Sequence, residues 1–301
     1  MQALIPEWTE YELVDCGAGK KLERFGEFTL VRPEPQAKWT TMLPAERWEA
    51  ADAEFVKAKR GQQGEWKFRR PIPGRWAMQR RNLEFWVQPA PSGHVGVFPD
   101  QACHWDWVGD QVTEAVGSKD GPIRVLCLFG HTGLATLTAA AAGAEVTHVD
   151  ASRKAVSLAR ENQKLSELEG RPIRWIVEDA MTFVRREARR GNRYDALMLD
   201  PPRFGRGPDG EIWKLDESLP ELLEACVKLL SASPVFVLLN VYTTVVTQGR
   251  IEKEGEKLRV CLTEMLVKSP AKVTAGELAI QDAARRKISA SVFARAEFQR
   301  S

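Results

Sequence analysis

The chain has 301 residues, enough for one large domain and a smaller one. Its 44% hydrophobic and 28% charged residues, net charge +2, predict a soluble globular protein. No apolar run is long enough to span a bilayer, and the start, MQALIPEWTEYELVDCG, has no signal-peptide pattern, so a cytoplasmic protein with no membrane partner is expected. The cysteines (Cys16, Cys103, Cys127, Cys226, Cys261) are odd in number, scattered, and form no CxxC pair. That argues for a reducing compartment and against a zinc site, and His94, His104, His131 and His148 show no metal-ligand spacing, so no metal is expected.

Up to about residue 108 the chain holds eight of its ten tryptophans, many prolines, and short alternating runs such as RFGEFTLVRP and LEFWVQP. These predict small β elements, with one helix near residues 44–59. Residues 57–81, KAKRGQQGEWKFRRPIPGRWAMQRR, carry nine Lys/Arg against one Glu, a local +8 that leaves −6 for the rest of the chain. Cations there could neutralise phosphates, and Trp66, Phe68 and Trp76 could stack on unpaired bases. Equally, the segment could be a solvated linker whose aromatics close a small core.

Beyond residue 120 the pattern changes. IRVLCLF (123–129), EVTHVD (145–150), IRWIV (173–177), YDALMLD (194–200) and PVFVLLN (234–240) read as buried parallel strands. Between them TGLATLTAAAAG, ASRKAVSLARENQKLSEL, EDAMTFVRREARRG and DESLPELLEACVKLLSAS have helical spacing. This alternation predicts βαβ units in a doubly wound α/β fold with helices on both faces of the sheet. In the tail, GELAI (276–280) and ISASVFARAEF (288–298) predict two further strands closing a sheet edge.

The first strand runs into a turn carrying Gly130 and Gly133, and the second ends at Asp150, twenty residues after Gly130. Glycines at this place let a ligand approach the backbone over a helix amino terminus, although many such glycines serve only packing. A carboxylate at the end of the second strand commonly accepts ribose hydroxyls. His131 and Thr132 stand where a dinucleotide fold would use more glycine, so the spacing favours an adenosine ligand without phosphates, and S-adenosylmethionine fits. Asp179 follows the third strand, either as an acceptor for an adenine amino group or as an N-cap for the next helix. Asp200 follows the fourth, in LDPPRFGRG, where the prolines stop the strand and stiffen the turn.

LFGHTG (128–133), HVDAS (148–152), EDA (178–180) and LDPPRFGRG (199–207) together resemble the motifs of class I S-adenosylmethionine-dependent methyltransferases. VTHVDAS and DPP-x-F narrow the resemblance to the bacterial group around the 23S ribosomal RNA large-subunit methyltransferases. It extends over roughly residues 95–300. The resemblance implies a mostly parallel, Rossmann-like sheet of seven strands with the last one reversed. It implies a methyltransferase domain over residues 96–301 behind a small β-rich accessory region, 1–95. It also implies that Phe129, Gly130 and Gly133 hold the methionine part of the cofactor. Asp150 would hold the ribose, Asp179 with Ala180 would flank the adenine, and Thr132, Ala151, Ser152 and Asp200 would also contact the cofactor. Phe98, Pro99 and Gln101 would cover the cofactor. Asp200, Pro201, Pro202 and Phe204 would face the methyl acceptor at the cofactor's edge.

Relatives that methylate C5 of cytosine use a cysteine nucleophile, whereas strand five here runs into LNVYTT (239–244), and no cysteine lies between Cys127 and Cys226. Only Cys103 is left as a distant candidate. The expectation is therefore methylation of a nitrogen on a ribosomal RNA base. Asp200 or the Pro201 carbonyl would accept the acceptor N–H, and Phe204 would stack on the base. The alternatives are a methyltransferase acting on a protein or small molecule, a non-catalytic RNA-binding protein of the same fold, and a nucleotide-dependent oxidoreductase. The last has no use for a DPP clamp.

Overall fold

A computed structural model of the chain describes residues 2–57, 64–242, 248–267 and 271–299. It divides into two compact units. One comprises Ile5–Ala102 and Ala279–Ser289; the other comprises Met1–Leu4, Cys103–Leu278 and Ala290–Ser301. The amino-terminal unit thus runs to Ala102 rather than residue 95, and it takes in a short segment from the far end of the chain.

After β1 (Gln2–Leu4), the amino-terminal unit builds β2 (Tyr11–Gly17), β3 (Lys20–Phe25), β4 (Phe28–Pro33), α1 (Ala45–Glu49), β5 (Ala53–Val56) and β6 (Glu65–Phe68). The order β2-β3-β4-β5-β6 makes a five-stranded sheet, and β7 (Trp76–Arg80) pairs with β8 (Leu83–Val87) in a hairpin. The helix expected over 44–59 is only the five residues of α1; residues 58–63 lie outside the described residues. The chain is captured by the sheet instead. The Asp52 carboxylate accepts the Thr29 backbone N–H at 2.7 Å, the Asp52 N–H donates to the Thr29 carbonyl at 2.9 Å, and Ala53 enters register with Leu30. Pairing with β4 outweighs a helical propensity summed over only a few residues.

The basic segment is also mostly tied into this unit. Trp76 is buried and its indole N–H donates to the Phe25 carbonyl at 3.1 Å. Trp66 packs on Phe55 and donates to the Ala90 carbonyl. These two aromatics therefore belong to the unit's own packing and not to a stacking surface. Phe68 alone of the three is open, at 55% exposure.

The second unit carries β9 (Arg124–Leu128), β10 (Glu145–Asp150), β11 (Ile173–Val177), β12 (Ala196–Leu199) and β15 (Phe236–Tyr242) as its parallel strands. A short hairpin, β13 (Phe204–Arg206) with β14 (Ile212–Lys214), interrupts the series. The helices are α2 (Ala102–Val116), α3 (Leu134–Ala141), α4 (Arg153–Leu165), α5 (Ala180–Arg190), α6 (Leu215–Val227) and α7 (Gln248–Met265). The final strands β16 (Ala271–Gln281) and β17 (Lys287–Phe298) complete the order β1-β16-β17-β15-β12-β9-β10-β11. β17 runs antiparallel to its neighbour β15, with Phe236 opposite Glu297 and Tyr242 opposite Ser291. The sheet has eight described strands rather than the expected seven, because Gln2–Leu4 pairs with Gly276–Leu278. A three-residue segment at the chain start has no periodicity by which to recognise it.

Alternation along the strands sorts the core onto two faces. Leu126, Leu128, Leu197 and Leu199 join Phe183 of α5, Leu222 of α6 and Leu262 of α7. Val125, Cys127, Ala196 and Met198 join Val108 of α2 and Ala140 of α3. Both faces are covered, as a parallel sheet requires.

Candidate active site

The register places Leu128 beside Leu199 on one side and Val149 on the other, and Asp150 beside Val177. Phe129, Asp150 and Asp200 therefore leave adjacent strands at one carboxyl edge, where open α/β sheets bind ligands. The turn after β9 is unusual in its backbone. Phe129 (φ 57°), His131 (φ 48°) and Gly133 (φ 86°) all lie in the left-handed region. Each non-glycine residue there costs on the order of 1 kcal/mol or more, a strain that concentrates at functional sites.

Three contacts hold the turn. The His131 backbone N–H donates to Asp150 Oδ2 at 2.9 Å, the Gly130 N–H donates to the Val149 carbonyl at 3.2 Å, and buried Asn162 of α4 donates to the Thr132 carbonyl at 2.9 Å. Asn162 was not singled out in the sequence, where it is one polar residue among many on a helix.

What demands the glycines is packing. A Cβ on Gly130 would sit 2.3 Å from Cε1 of buried His148, and one on Gly133 would sit 2.8 Å from the Ala159 Cβ. His148 bonds Thr136 at 2.9 Å and packs on Trp175, so it cannot move aside freely. Burial holds its pKa down to about 3. Gly130→Ala is therefore expected to destabilise the fold by about 1–3 kcal/mol, as overpacking does. Adding His148→Ala should return much of that loss, read as Tm. A Gly130→Ala protein with unchanged Tm that no longer binds cofactor would instead assign the glycine to ligand approach.

Asp150 is half-buried, and burial raises its carboxyl above the usual carboxylate range against the pull of the two backbone N–H groups it accepts. Those groups are His131 N–H and Ser152 N–H, the latter to Oδ1 at 2.8 Å. Ser152 also caps α4, its hydroxyl accepting the Ala155 N–H at 3.2 Å, while Ala151 lies between the two. Asp179 is the N-cap of α5, accepting the Thr182 N–H at 2.8 Å, which is the helix-capping alternative for this residue. Ala180, the first residue of α5, is buried in the core. Phe98, Pro99 and Gln101 belong to the amino-terminal unit, Phe98 being 42% exposed and the other two part of a single 3-10 turn.

Asp200 is exposed at the end of β12, and Asn240 of the neighbouring β15 donates from Nδ2 to its Oδ1 at 2.7 Å. Pro201 is buried and Pro202 exposed. The Pro202 carbonyl accepts the indole N–H of Trp213 at 2.6 Å, and the Trp213 ring lies 4.9 Å from that of Phe129. Trp213 thus ties the DPP turn to the glycine turn, a link that only the folding of the β13–β14 hairpin creates. Phe204, at the start of that hairpin, is 57% exposed.

A crystal structure of a SAM-dependent methyltransferase from Agrobacterium tumefaciens has this fold, with TM-score 0.90 and 40% identity, covering 99% of this chain and 93% of that one. The chain belongs to the S-adenosylmethionine-dependent methyltransferases. A family profile described as "Conserved hypothetical protein 95" matches residues 109–209 of this methyltransferase. Among curated proteins, the ribosomal RNA large subunit methyltransferase K/L of Shewanella sp. (strain ANA-3) is 34% identical over 128 residues, 42% of this chain and 18% of that protein. The protein of the same name from Hahella chejuensis is 28% identical over 187 residues, 61% of this chain and 24% of that one. The matched stretch thus spans about a fifth of the length of these relatives.

The residues at the sheet edge fit the methyltransferase cofactor. Asp150 spends two of its roughly four lone-pair positions on backbone N–H groups, leaving acceptor capacity for a pair of ribose hydroxyls. Among the described residues no cluster could hold a metal ion, and no helix is long and apolar enough to cross a membrane.

Proposed function

We propose that this methyltransferase modifies a nitrogen of an RNA base, in ribosomal RNA, and works in the cytoplasm. The observation that carries the reading is the Asp200 carboxylate, fixed by Asn240 at the sheet edge beside a rigid turn and an exposed Phe204. The bound cofactor supplies an electrophilic methyl group on a sulfonium. Asp200 or the Pro201 carbonyl accepts the N–H of the acceptor and so orients the nitrogen lone pair. Asp200 would also take up the proton that the acceptor nitrogen sheds on methylation and pass it to water. Phe204 offers its open face to the base. Positioning of this kind accounts for most of what such a displacement needs.

Nitrogen as the acceptor agrees with the thiols. Burial pushes Cys16 and Cys127 up to about 12 and also raises Cys226 and Cys261, so these four are poor thiolate nucleophiles. Cys103 lies at the start of α2. RNA is supported by the names of the curated relatives and by exposed Lys67, Phe68, Arg69 and Arg70 in and after edge strand β6. Those cations are only partly available, since Arg69 pairs with Glu54 and Arg70 approaches Asp52 at 3.9 Å. The test is transfer of labelled methyl from S-adenosylmethionine to bulk RNA of a strain lacking the gene, with protein and small-molecule fractions alongside. Label in large ribosomal RNA, on a base nitrogen, is the expected result; label confined to another fraction would discard RNA as the substrate.

A further inference from the structure

The β13–β14 ribbon has two unlike faces. Its register sets Phe204 opposite Lys214, Gly205 opposite Trp213 and Arg206 opposite Ile212. Side chains alternate along a strand, so the middle pair points one way and the two outer pairs point the other. On the inner face Trp213 is buried, bonded to the Pro202 carbonyl and packed on Phe129. The Leu215 N–H closes the base of the ribbon by donating to the Arg203 carbonyl at 3.0 Å. The outer face is thereby fixed relative to Asp200, which precedes Phe204 by four residues.

That outer face mixes apolar and cationic groups. Phe204 is 57% exposed and Ile212 is 60% exposed, so both leave most of their surface in water. A two-stranded hairpin draws its stability from the face it buries, which here is the Trp213 face. Arg206 and Lys214 stand beside the two apolar side chains and are also exposed. Arg206 forms no ion pair among the described residues. Lys214 meets Glu217 at 3.0 Å in an exposed pair, a contact worth little in water. The acids of the hairpin itself lie towards its tip, where the Glu211 carboxylate accepts the Asp209 N–H at 3.0 Å. Each strand thus offers one apolar group and one cation, with Phe204 diagonal to Ile212 and Arg206 diagonal to Lys214. Two residues along a strand advance about 6.8 Å and paired strands lie about 4.8 Å apart, so the four groups share a patch on the scale of a nucleotide. Single-stranded RNA repeats the complementary pair of features, an apolar base face and an anionic phosphate, in every nucleotide.

We infer that the outer face of this ribbon holds the nucleotide next to the target base in single-stranded RNA. Ile212 lies against the neighbouring base, and Arg206 and Lys214 meet the phosphates beside it. The inference rests on RNA as the substrate and goes beyond the contact of Phe204 with the target base. Because Trp213 anchors the ribbon to the DPP turn, a nucleotide held on the outer face brings its neighbour to the Asp200 edge.

The test is steady-state methyl transfer to bulk RNA of a strain lacking the gene, with the full-length protein and over a range of salt. Ile212→Ser should raise the KM for RNA on the order of 10-fold, from lost apolar contact with a base. Its Tm, its KM for S-adenosylmethionine and its kcat at saturating RNA should stay as in the wild type. Arg206→Ala should raise the KM for RNA and make the slope of log kcat/KM against log salt shallower by about 0.7, the value for one phosphate of a single strand. Arg206→Lys keeps the charge and should keep the slope. Unchanged KM and salt slope in these variants, with the wild type labelling RNA, would overturn this inference and leave RNA as the substrate. A lowered Tm with unchanged KM would likewise overturn it, making the outer face a part of the fold alone. Wild-type label confined to protein or small molecules would remove the RNA reading beneath it, and this inference with it.

Discussion

Asp200→Ala is expected to lose methyl transfer by on the order of 10²- to 10⁴-fold, the range of a positioned proton acceptor, while S-adenosylmethionine still binds. The separation follows from where the residue sits. Asp200 stands at the end of β12, held from β15 by Asn240, whereas the turn after β9 and Asp150 are held by Asn162 and by their own backbone bonds. The side chain is exposed, so its removal opens no cavity, and the stability loss should be limited to about 1–3 kcal/mol, the cost of leaving the buried Asn240 NH2 without this acceptor. Single-turnover transfer to RNA and calorimetric binding of S-adenosylmethionine, run on one preparation, check both halves. Loss of cofactor binding together with activity, in a folded protein, would make Asp200 part of the cofactor site instead. Asp200→Asn is a finer probe: it keeps shape and one acceptor oxygen but cannot take a proton, so activity should stay low.

Asp150→Ala is expected to weaken S-adenosylmethionine binding on the order of 10²-fold or more, since two hydrogen bonds to a charged acceptor are lost. It also leaves the His131 and Ser152 N–H groups without their carboxylate, which loosens the turn that faces the cofactor. A pH series gives a second check. The protonated carboxyl is the poorer acceptor for ribose hydroxyls, so affinity should fall as pH drops through the raised pKa of Asp150. Stability moves the other way. Because the folded-state pKa lies above the unfolded one, the folded state binds more protons in that window, and this group adds stability as pH falls towards its unfolded value. Affinity and Tm that change in opposite directions with pH, both responses flattened in Asp150→Asn, are the expected pattern. Unchanged affinity in Asp150→Ala would take the ribose role from this residue.

Much of this site was legible because parallel strands announce themselves locally. VLCLF, EVTHVD and ALMLD are each long enough to show an apolar run, and each ends where a polar residue or glycine meets solvent at the sheet edge. Motif spacing then carried Asp150 and Asp200 to that edge. The tail strands were legible for the same reason, though their length was not: β16 begins at Ala271, five residues before the expected GELAI. The helix expected over 44–59 went wrong because the decision lay in a pairing with Thr29 and Leu30, more than twenty residues away.

By itself the sequence determined the alternation of strands and helices, the edge at which they end, and the acids placed there, because period and spacing are properties of neighbours along the chain. The tertiary structure decided what each of those residues packs against and bonds. The glycines of the first turn answer to the His148 ring and to Ala159, Asp179 turns back to cap its own helix, and Trp213 and Asn240 reach the DPP turn from other elements. The physical reason is range: steric exclusion and hydrogen bonding act over a few ångströms in space, between groups that the sequence sets tens to hundreds of residues apart.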